Sequence, residues 1–214
     1  MIKTIFFDFD GTISDAYSLS FKSLIRTLEN YNYKFNKSQT RKFLGSKMHE
    51  IFRILKIPKK DTDNLKKEFF QLMLEGVRNN KIKLCVSVKP LWKLKQKYKL
   101  VVITNSEYDF IKESIGRLKL NGLFDEIYTA EKFTTKDKLL KKLFRKYKIK
   151  PSQAVFIGDR FSDIEYARKA GCIAIAIHNK CSWSTKTDIL KEKPDFIIKD
   201  FRGLGRVLEK INQN

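Results

Sequence analysis

The chain has 214 residues, 42% of them hydrophobic, which suits one large domain or a core with an inserted segment. No apolar stretch reaches the roughly 18 residues of a membrane span, and the first residues show no leader pattern. The three cysteines, an odd number, form no CxxC pair, which argues against a disulfide framework. We therefore predict a cytoplasmic protein without a membrane-spanning segment.

The net charge of +21 leaves a nucleic-acid partner open. The excess comes mainly from 35 lysines, against 10 arginines, scattered along the whole chain. In the densest run, residues 136–150, leucines and aromatic residues recur at helical spacing, which predicts an amphipathic helix with a lysine-rich solvent face. This pattern favours a solvated basic surface over a nucleic-acid groove, which would more often interleave arginine and exposed aromatic residues.

The first predicted strand, residues 3–9, carries two aspartates at its end, in the run KTIFFDFDGT. In a continuous strand Asp8 and Asp10 would point to the same face. Burying two neighbouring carboxylates is costly because each loses hydration and they repel each other. The strand is therefore expected to end here in a polar cleft, with a cation near the aspartates.

Residues 16–83 have a helical pattern throughout, whereas strand-like and helix-like runs alternate from residue 99 onward. Continuous apolar runs of the second kind are typical of a parallel sheet covered by helices on both faces. We predict an α/β fold: a doubly wound, Rossmann-like core of residues 1–15 and 84–214, with a small α-helical cap of residues 16–83.

Ligands of open α/β sheets bind beyond the carboxyl ends of the strands, so polar residues at those ends mark a candidate site. Four predicted strands or the helices that follow them supply such residues: Asp8, Asp10, Gly11, Thr12, Thr104, Asn105, Ser106, Lys136, Lys138, Asp159 and Asp163. Each group alone is also consistent with an ordinary turn or helix cap. Their order at successive strand ends favours a shared site.

These motifs resemble the haloacid dehalogenase-like hydrolases, and among them the helical-cap phosphatases of the phosphoglycolate phosphatase-like group. DFDGT at 8–12 matches the nucleophile motif, ITNS at 103–106 the hydroxyl motif and GDRFSD at 158–163 the acidic motif. Lys136 has a spacing to the acidic motif like that of close relatives, and Lys138 is the alternative.

The resemblance implies a Mg²⁺-dependent phosphatase that acts on a small phosphomonoester through an aspartyl-phosphate. It implies that Asp8 is the nucleophile and Asp10 the general acid and base. The other implied roles are phosphate binding by Thr104, Asn105 and Lys136, and metal binding by Asp8, Asp10, Asp159 and Asp163.

Substrate specificity is expected in the cap, which carries 16 of the basic and 6 of the acidic residues. Gly45, Arg41 and Lys47 are the candidate residues, and they suit a substrate with a second anionic group. Three alternatives remain open: a phosphomutase, a phosphatase of polynucleotide ends and a nucleic-acid-binding protein. We expect a monomer or a homodimer.

Overall fold

The computed structural model describes residues 1–213, apart from the side chain at position 39. It contains a six-stranded sheet, whose strands are β1 (Thr4–Phe7), β4 (Lys99–Ile103), β5 (Glu126–Tyr128), β6 (Ala154–Gly158), β7 (Ile173–Ile177) and β8 (Phe196–Ile198). The strands lie in the order β5-β4-β1-β6-β7-β8, and all neighbouring strands are parallel.

Two apolar layers cover the faces of this sheet, because successive residues of its strands point to opposite sides. The Phe6 ring packs edge-on against Phe144, with the centroids 6.0 Å apart, and the Phe7 ring lies 5.8 Å from that of Phe201 on the other face. Both faces of the central strand are thus buried, which confirms the predicted doubly wound α/β core.

The helices are α1 (Tyr17–Asn30), α2 (Lys37–Phe43), α3 (Met48–Ile54), α4 (Thr62–Arg78), α5 (Lys89–Lys95), α6 (Tyr108–Arg117), α7 (Lys136–Lys146), α8 (Phe161–Ala170), α9 (Lys186–Lys191) and α10 (Leu204–Gln213). Short 3₁₀ turns occupy Lys59–Asp61, Ala130–Lys132 and Pro151–Gln153. Within the described chain, no helix combines the length and apolar character needed to cross a membrane.

The helical segment α1–α4 leaves and rejoins the rest of the chain through a small antiparallel ribbon. Its strands are β2 (Ser14–Asp15) and β3 (Lys83–Leu84), with Ser14 opposite Leu84. α1 packs on α4, and α4 packs on α6 of the core. The predicted boundaries at 15/16 and 83/84 fall at this ribbon, and the division into core and cap stays a prediction.

Candidate active site

Three central strands of the sheet end beside one another, and each is followed by polar residues of the predicted set. β1 lies between β4 and β6, so the segments after residues 7, 103 and 158 are neighbours at the carboxyl edge. The amide of Asp8 still donates to the carbonyl of Ile157 at 2.8 Å, which extends the sheet by one residue. After Asp8 the chain turns away from the sheet.

Gly11 occupies this turn because a side chain does not fit there. Its φ is +84°, a left-handed value that L-residues rarely adopt. A Cβ at this position would lie 2.3 Å from Oδ2 of Asp159 and 2.6 Å from Cδ1 of Trp183. The Asp-Gly pair therefore brings the β1 turn into direct contact with the acidic residue that follows β6.

Asp8, Asp159 and Asp163 form a buried acidic cluster in which one carboxylate oxygen of each lies within 4.8 Å of the others. The buried Lys136 ammonium lies 2.9 Å from Oδ1 of Asp8 and 2.8 Å from Oδ1 of Asp163. Lys138, the alternative lysine, is exposed. Lys136 is the lysine that the fold brings into the site.

One ammonium does not balance three carboxylates, and the pKa values of two of them, Asp8 and Asp159, are raised. Burial raises the pKa of Asp8 to about 6. The charge of Lys136 lowers this pKa, and repulsion from Asp163 raises it. Burial, followed by repulsion from Asp8 and Asp163, raises the pKa of Asp159 well above its usual range. Burial alone would lower the pKa of Lys136, but its two carboxylate partners raise it.

The residues of this cluster fit a divalent cation. Oxygen ligands suit Mg²⁺, and a cation would relieve the repulsion among these three carboxylates. Asp159 is already oriented, since its Oδ1 accepts from the Thr12 hydroxyl at 3.0 Å and its Oδ2 from the Trp183 amide at 2.7 Å. Asp163 is oriented by the amide of Arg160, at 3.1 Å from its Oδ2.

Asp10 has a different environment from the other carboxylates. Its Oδ2 accepts from the Ser106 hydroxyl at 2.6 Å, while its buried Oδ1 has no hydrogen-bond partner among the described residues. Burial raises the pKa of Asp10 to about 7; the Ser106 hydrogen bond lowers it and the Asp8 charge raises it. Near neutral pH this carboxyl can therefore either hold or release a proton.

The segment after β4 connects this edge to the helical segment. The Thr104 hydroxyl accepts from the Ser106 amide at 3.1 Å, which orders the turn, and Asn105 donates to the Gly45 carbonyl at 2.9 Å. Gly45 also has a left-handed φ of +84°. The loop between α2 and α3 is thereby held over the strand ends.

A narrow cavity of about 40 Å³ lies between the strand ends and the helices. Its lower side, formed by the segments after the strands, contains Asp8, Asp10, Thr104, Asn105, Ser106, Arg160 and Trp183. Its upper side, formed by the helical segment, contains Ser20, Gly45, Ser46, Met48, Ile51, Phe69, Phe70 and Met73. The upper wall is thus mainly apolar, apart from serines and one glycine.

Two of the predicted specificity residues do not line this cavity. Lys47 is buried with its ammonium donating to the carbonyls of Ala130, at 2.6 Å, and Phe133. The Arg41 guanidinium lies 4.8 Å from the centre of the Phe21 ring. The structure brings Gly45 to the site, whereas it directs these two cations elsewhere.

The sequence pattern does not identify two residues that line the cavity, Arg160 and Trp183, and it does not show that Ser106 contacts Asp10. Trp183 lies in the loop after β7, which carries no motif, and only the fold places it beside Asp159. The run GDRFSD contains a signal for Arg160, because an arginine directly after a site aspartate has to lie close to the site.

A parallel α/β sheet with carboxylates from two strand ends, one lysine and a helical segment above them defines a class of hydrolases. Residues 5–177 match the family model described as haloacid dehalogenase-like hydrolase. The chain belongs to this family.

The match to individual relatives extends over the whole chain. Pyrophosphatase PpaX of Bacillus mycoides is 24% identical over 230 residues, covering 99% of each chain. A haloacid dehalogenase-like family hydrolase of Streptococcus pneumoniae has a TM-score of 0.82 at 22% identity, covering 97% of this chain and 98% of its own. A predicted phosphoglycolate phosphatase of Haemophilus somnus has a TM-score of 0.81 at 21% identity, with the same coverage. At these identities the two structures establish the fold.

Proposed function

We propose that this hydrolase is a Mg²⁺-dependent phosphatase that transfers the phosphoryl group of a small substrate to Asp8 and then to water. The observation that carries the proposal is the buried acidic cluster, in which Asp8 is held 2.9 Å from Lys136 beside Asp159 and Asp163. Carboxylates are established nucleophiles that need no deprotonation at neutral pH. The names of the relatives support phosphate chemistry.

In the first step an oxygen of Asp8 attacks phosphorus, and the bond from phosphorus to the leaving oxygen breaks. Asp10 gives its proton to that oxygen, and its unpartnered Oδ1 is the atom suited to hold the proton. In the second step Asp10 accepts a proton from a water molecule whose oxygen attacks phosphorus, and the bond between phosphorus and the Asp8 oxygen breaks. Inorganic phosphate leaves, and both side chains return to their initial states.

The transferred phosphoryl group needs positive charge and hydrogen-bond donors around it. Lys136, the Thr104 hydroxyl and the amide of Asn105 are the groups that would hold its oxygens. Bound Mg²⁺ would supply charge neutralisation between the carboxylate and the phosphate. Asp8, Asp159, Asp163 and the carbonyl of Asp10 are the residues that would hold the ion.

The narrow cavity and its apolar upper wall support a compact substrate over a polynucleotide end. A small phosphomonoester is the substrate class that we propose. The curated relatives are named pyrophosphatases, so inorganic pyrophosphate, a phosphoanhydride, is the second class to assay.

The test is a screen of small phosphate compounds with Mg²⁺ present, repeated after the metal has been removed with a chelator. We expect phosphate release that disappears with the chelator and returns when Mg²⁺ is added in excess. Full activity in chelator-treated protein would contradict the metal assignment. Absence of hydrolysis for every ester and anhydride would contradict the proposed function.

A further inference from the structure

The Arg160 side chain lines the catalytic cavity as a charge without a partner. Arg160 is only 6% exposed, and it is the one arginine or lysine among the described residues that line this cavity. Its backbone amide donates to Asp163, but its guanidinium has no hydrogen bond or ion pair within the described part of the chain. The guanidinium carbon lies 5.9 Å from the centre of the Phe161 ring.

Because no described group of the protein accepts from this guanidinium, its N–H donors are available to a ligand in the cavity. The five N–H donors of arginine form a planar fork that matches the oxygens of carboxylates and phosphates. The unused N–H donors of Arg160 therefore suit an anionic ligand.

A second donor belongs to a side chain that lines the same cavity. The indole N–H of Trp183 is buried without a hydrogen-bond partner among the described residues, and Trp183 lines the same cavity. Both side chains pack on Gly45, where a Cβ would lie 2.6 Å from Nη1 of Arg160 and 2.9 Å from Cε3 of Trp183. The missing side chain of Gly45 thus makes room for Arg160 and for the far edge of the indole, whereas Cδ1, next to the indole N–H, lies against Gly11.

We propose that Arg160, assisted by the Trp183 indole, binds a second anionic group on the leaving side of the substrate. This inference rests on the proposed phosphatase function and specifies its substrate: a compact phosphate compound that carries a further phosphate or carboxylate close to the transferred phosphoryl group. The transferred group itself already has Lys136, which contacts Asp8 directly. Among the residues that the structure describes, the apolar upper wall offers no other cation to a second anion.

The site differs from the cationic cap that the sequence suggests. Arg41 and Lys47 already have partners outside the cavity, an aromatic ring for Arg41 and two backbone carbonyls for Lys47. Arg160 belongs to the core, next to Asp159. The specificity for a second charge would then be set by the core and not by the cap.

The experiment compares three substrates in the full-length protein with Mg²⁺: pyrophosphate, phosphoglycolate and p-nitrophenyl phosphate, whose leaving group carries no second anionic substituent. For Arg160→Gln we expect kcat/KM for one or both of the first two to fall about ten- to hundredfold, mainly through KM, as for loss of a charged hydrogen bond. With p-nitrophenyl phosphate the change should stay within about threefold, which also shows that the variant folds. Pyrophosphate and phosphoglycolate distinguish a phosphate from a carboxylate as the second anion.

Three further variants complete the test. Arg160→Lys should recover part of the lost kcat/KM because it keeps the charge, and Trp183→Phe should weaken the same substrates selectively. Arg168→Gln is the matched control, since Arg168 is exposed at the other end of α8 and pairs with Glu192. It should leave all three substrates unchanged.

Equal losses for all three substrates, or no loss for any, would overturn the Arg160 assignment and leave the phosphatase proposal standing. The assignment also fails if the unaltered protein hydrolyses p-nitrophenyl phosphate while pyrophosphate and phosphoglycolate are neither hydrolysed nor competitive inhibitors. If none of the substrates is hydrolysed, the phosphatase proposal fails and this inference fails with it.

Discussion

Asp10 differs from Asp8 in its direct hydrogen-bond partner, which is a hydroxyl and not an ammonium. Asp8 is in contact with an ammonium, whereas the Oδ2 of Asp10 contacts the Ser106 hydroxyl and its Oδ1 is free of partners among the described residues. Two aspartates separated by one residue are therefore given different chemical properties by their neighbours. This difference suits a nucleophile and a proton donor that have to act on the same phosphorus.

The raised pKa of Asp10, about 7, predicts the alkaline limb of the pH profile. A proton donor is active below its pKa, so kcat/KM for an alkyl phosphate should fall as pH rises above neutrality. p-Nitrophenolate leaves without a proton, so the fall should be weaker for p-nitrophenyl phosphate. Identical alkaline limbs for the two substrates would contradict the role of Asp10.

Ser106→Ala should move that limb to higher pH. The Ser106 hydrogen bond stabilises the charged form of Asp10, and removing it raises the pKa of the carboxyl. The profile of Ser106→Ala with an alkyl phosphate checks this direction. A limb that moves to lower pH would show that another group is responsible for it.

At the scale of elements, the loop between α2 and α3 connects the helical segment to the sheet edge through Gly45. Gly45→Ala should cost about 1 kcal/mol for its left-handed backbone. The added Cβ would also displace Arg160 and Trp183, so we expect kcat/KM for pyrophosphate or phosphoglycolate to fall by about ten- to hundredfold.

Gly122→Ala is the matched control for this substitution. Gly122 has a φ of +77°, and no atom of the described residues lies within 4 Å of an added Cβ. It should lose similar stability in thermal unfolding without losing activity. If Gly45→Ala keeps full activity, the loop does not hold the two side chains in place.

Strand β5, at the edge of the sheet, is attached to its neighbours by Glu126. This carboxylate lies 2.5 Å from Lys146 of α7 and 2.9 Å from Lys99 of β4. Burial raises the pKa of Glu126, but hydrogen bonds from Lys146, Tyr128 and Lys99 outweigh it and lower the pKa to about 2. The charged form therefore stabilises the fold.

Glu126→Gln should reduce the free energy of unfolding by about 1 kcal/mol at neutral pH. A carboxylate with a lowered pKa stabilises the fold above its usual pKa, and this contribution is lost as the pH falls from about 4.5 towards 2. The difference between variant and unaltered protein in urea unfolding should therefore narrow below pH 4.5. Glu113→Gln, which breaks an i,i+4 pair on α6, should change stability less. A stability difference between Glu126→Gln and the unaltered protein that stays constant across pH would contradict this role of Glu126.

The sequence predicts the elements with long apolar runs better than the short ones. β1, β4, β6 and β7 have such runs, and the order of motifs at their ends predicts which residues converge. The ribbon β2–β3, with two residues in each strand, is too short to show alternation, and α5 and α9 have only seven and six residues. Trp183 and Arg160 could not be predicted as neighbours because their contact depends on how two loops pack.

For the whole molecule, the net charge of +21 is a property of the surface and is separate from the site. The site itself has an excess of carboxylates, so a basic surface would attract anionic substrates without contributing to the chemistry. We expect the protein to elute from a DNA column at low salt, with a weak dependence of the binding constant on salt. A dependence that corresponds to about six or more phosphate contacts would support a polynucleotide substrate instead.

The central claim is that Asp8 is phosphorylated during turnover, and Asp8→Asn tests it most directly. The amide keeps the size of the side chain but is a poor nucleophile, so phosphate release should fall by at least about a thousandfold. Asp109→Asn, a substitution at an exposed aspartate in the first turn of α6, should keep the original rate. Phosphate release from Asp8→Asn at the rate of the unaltered protein would contradict the account.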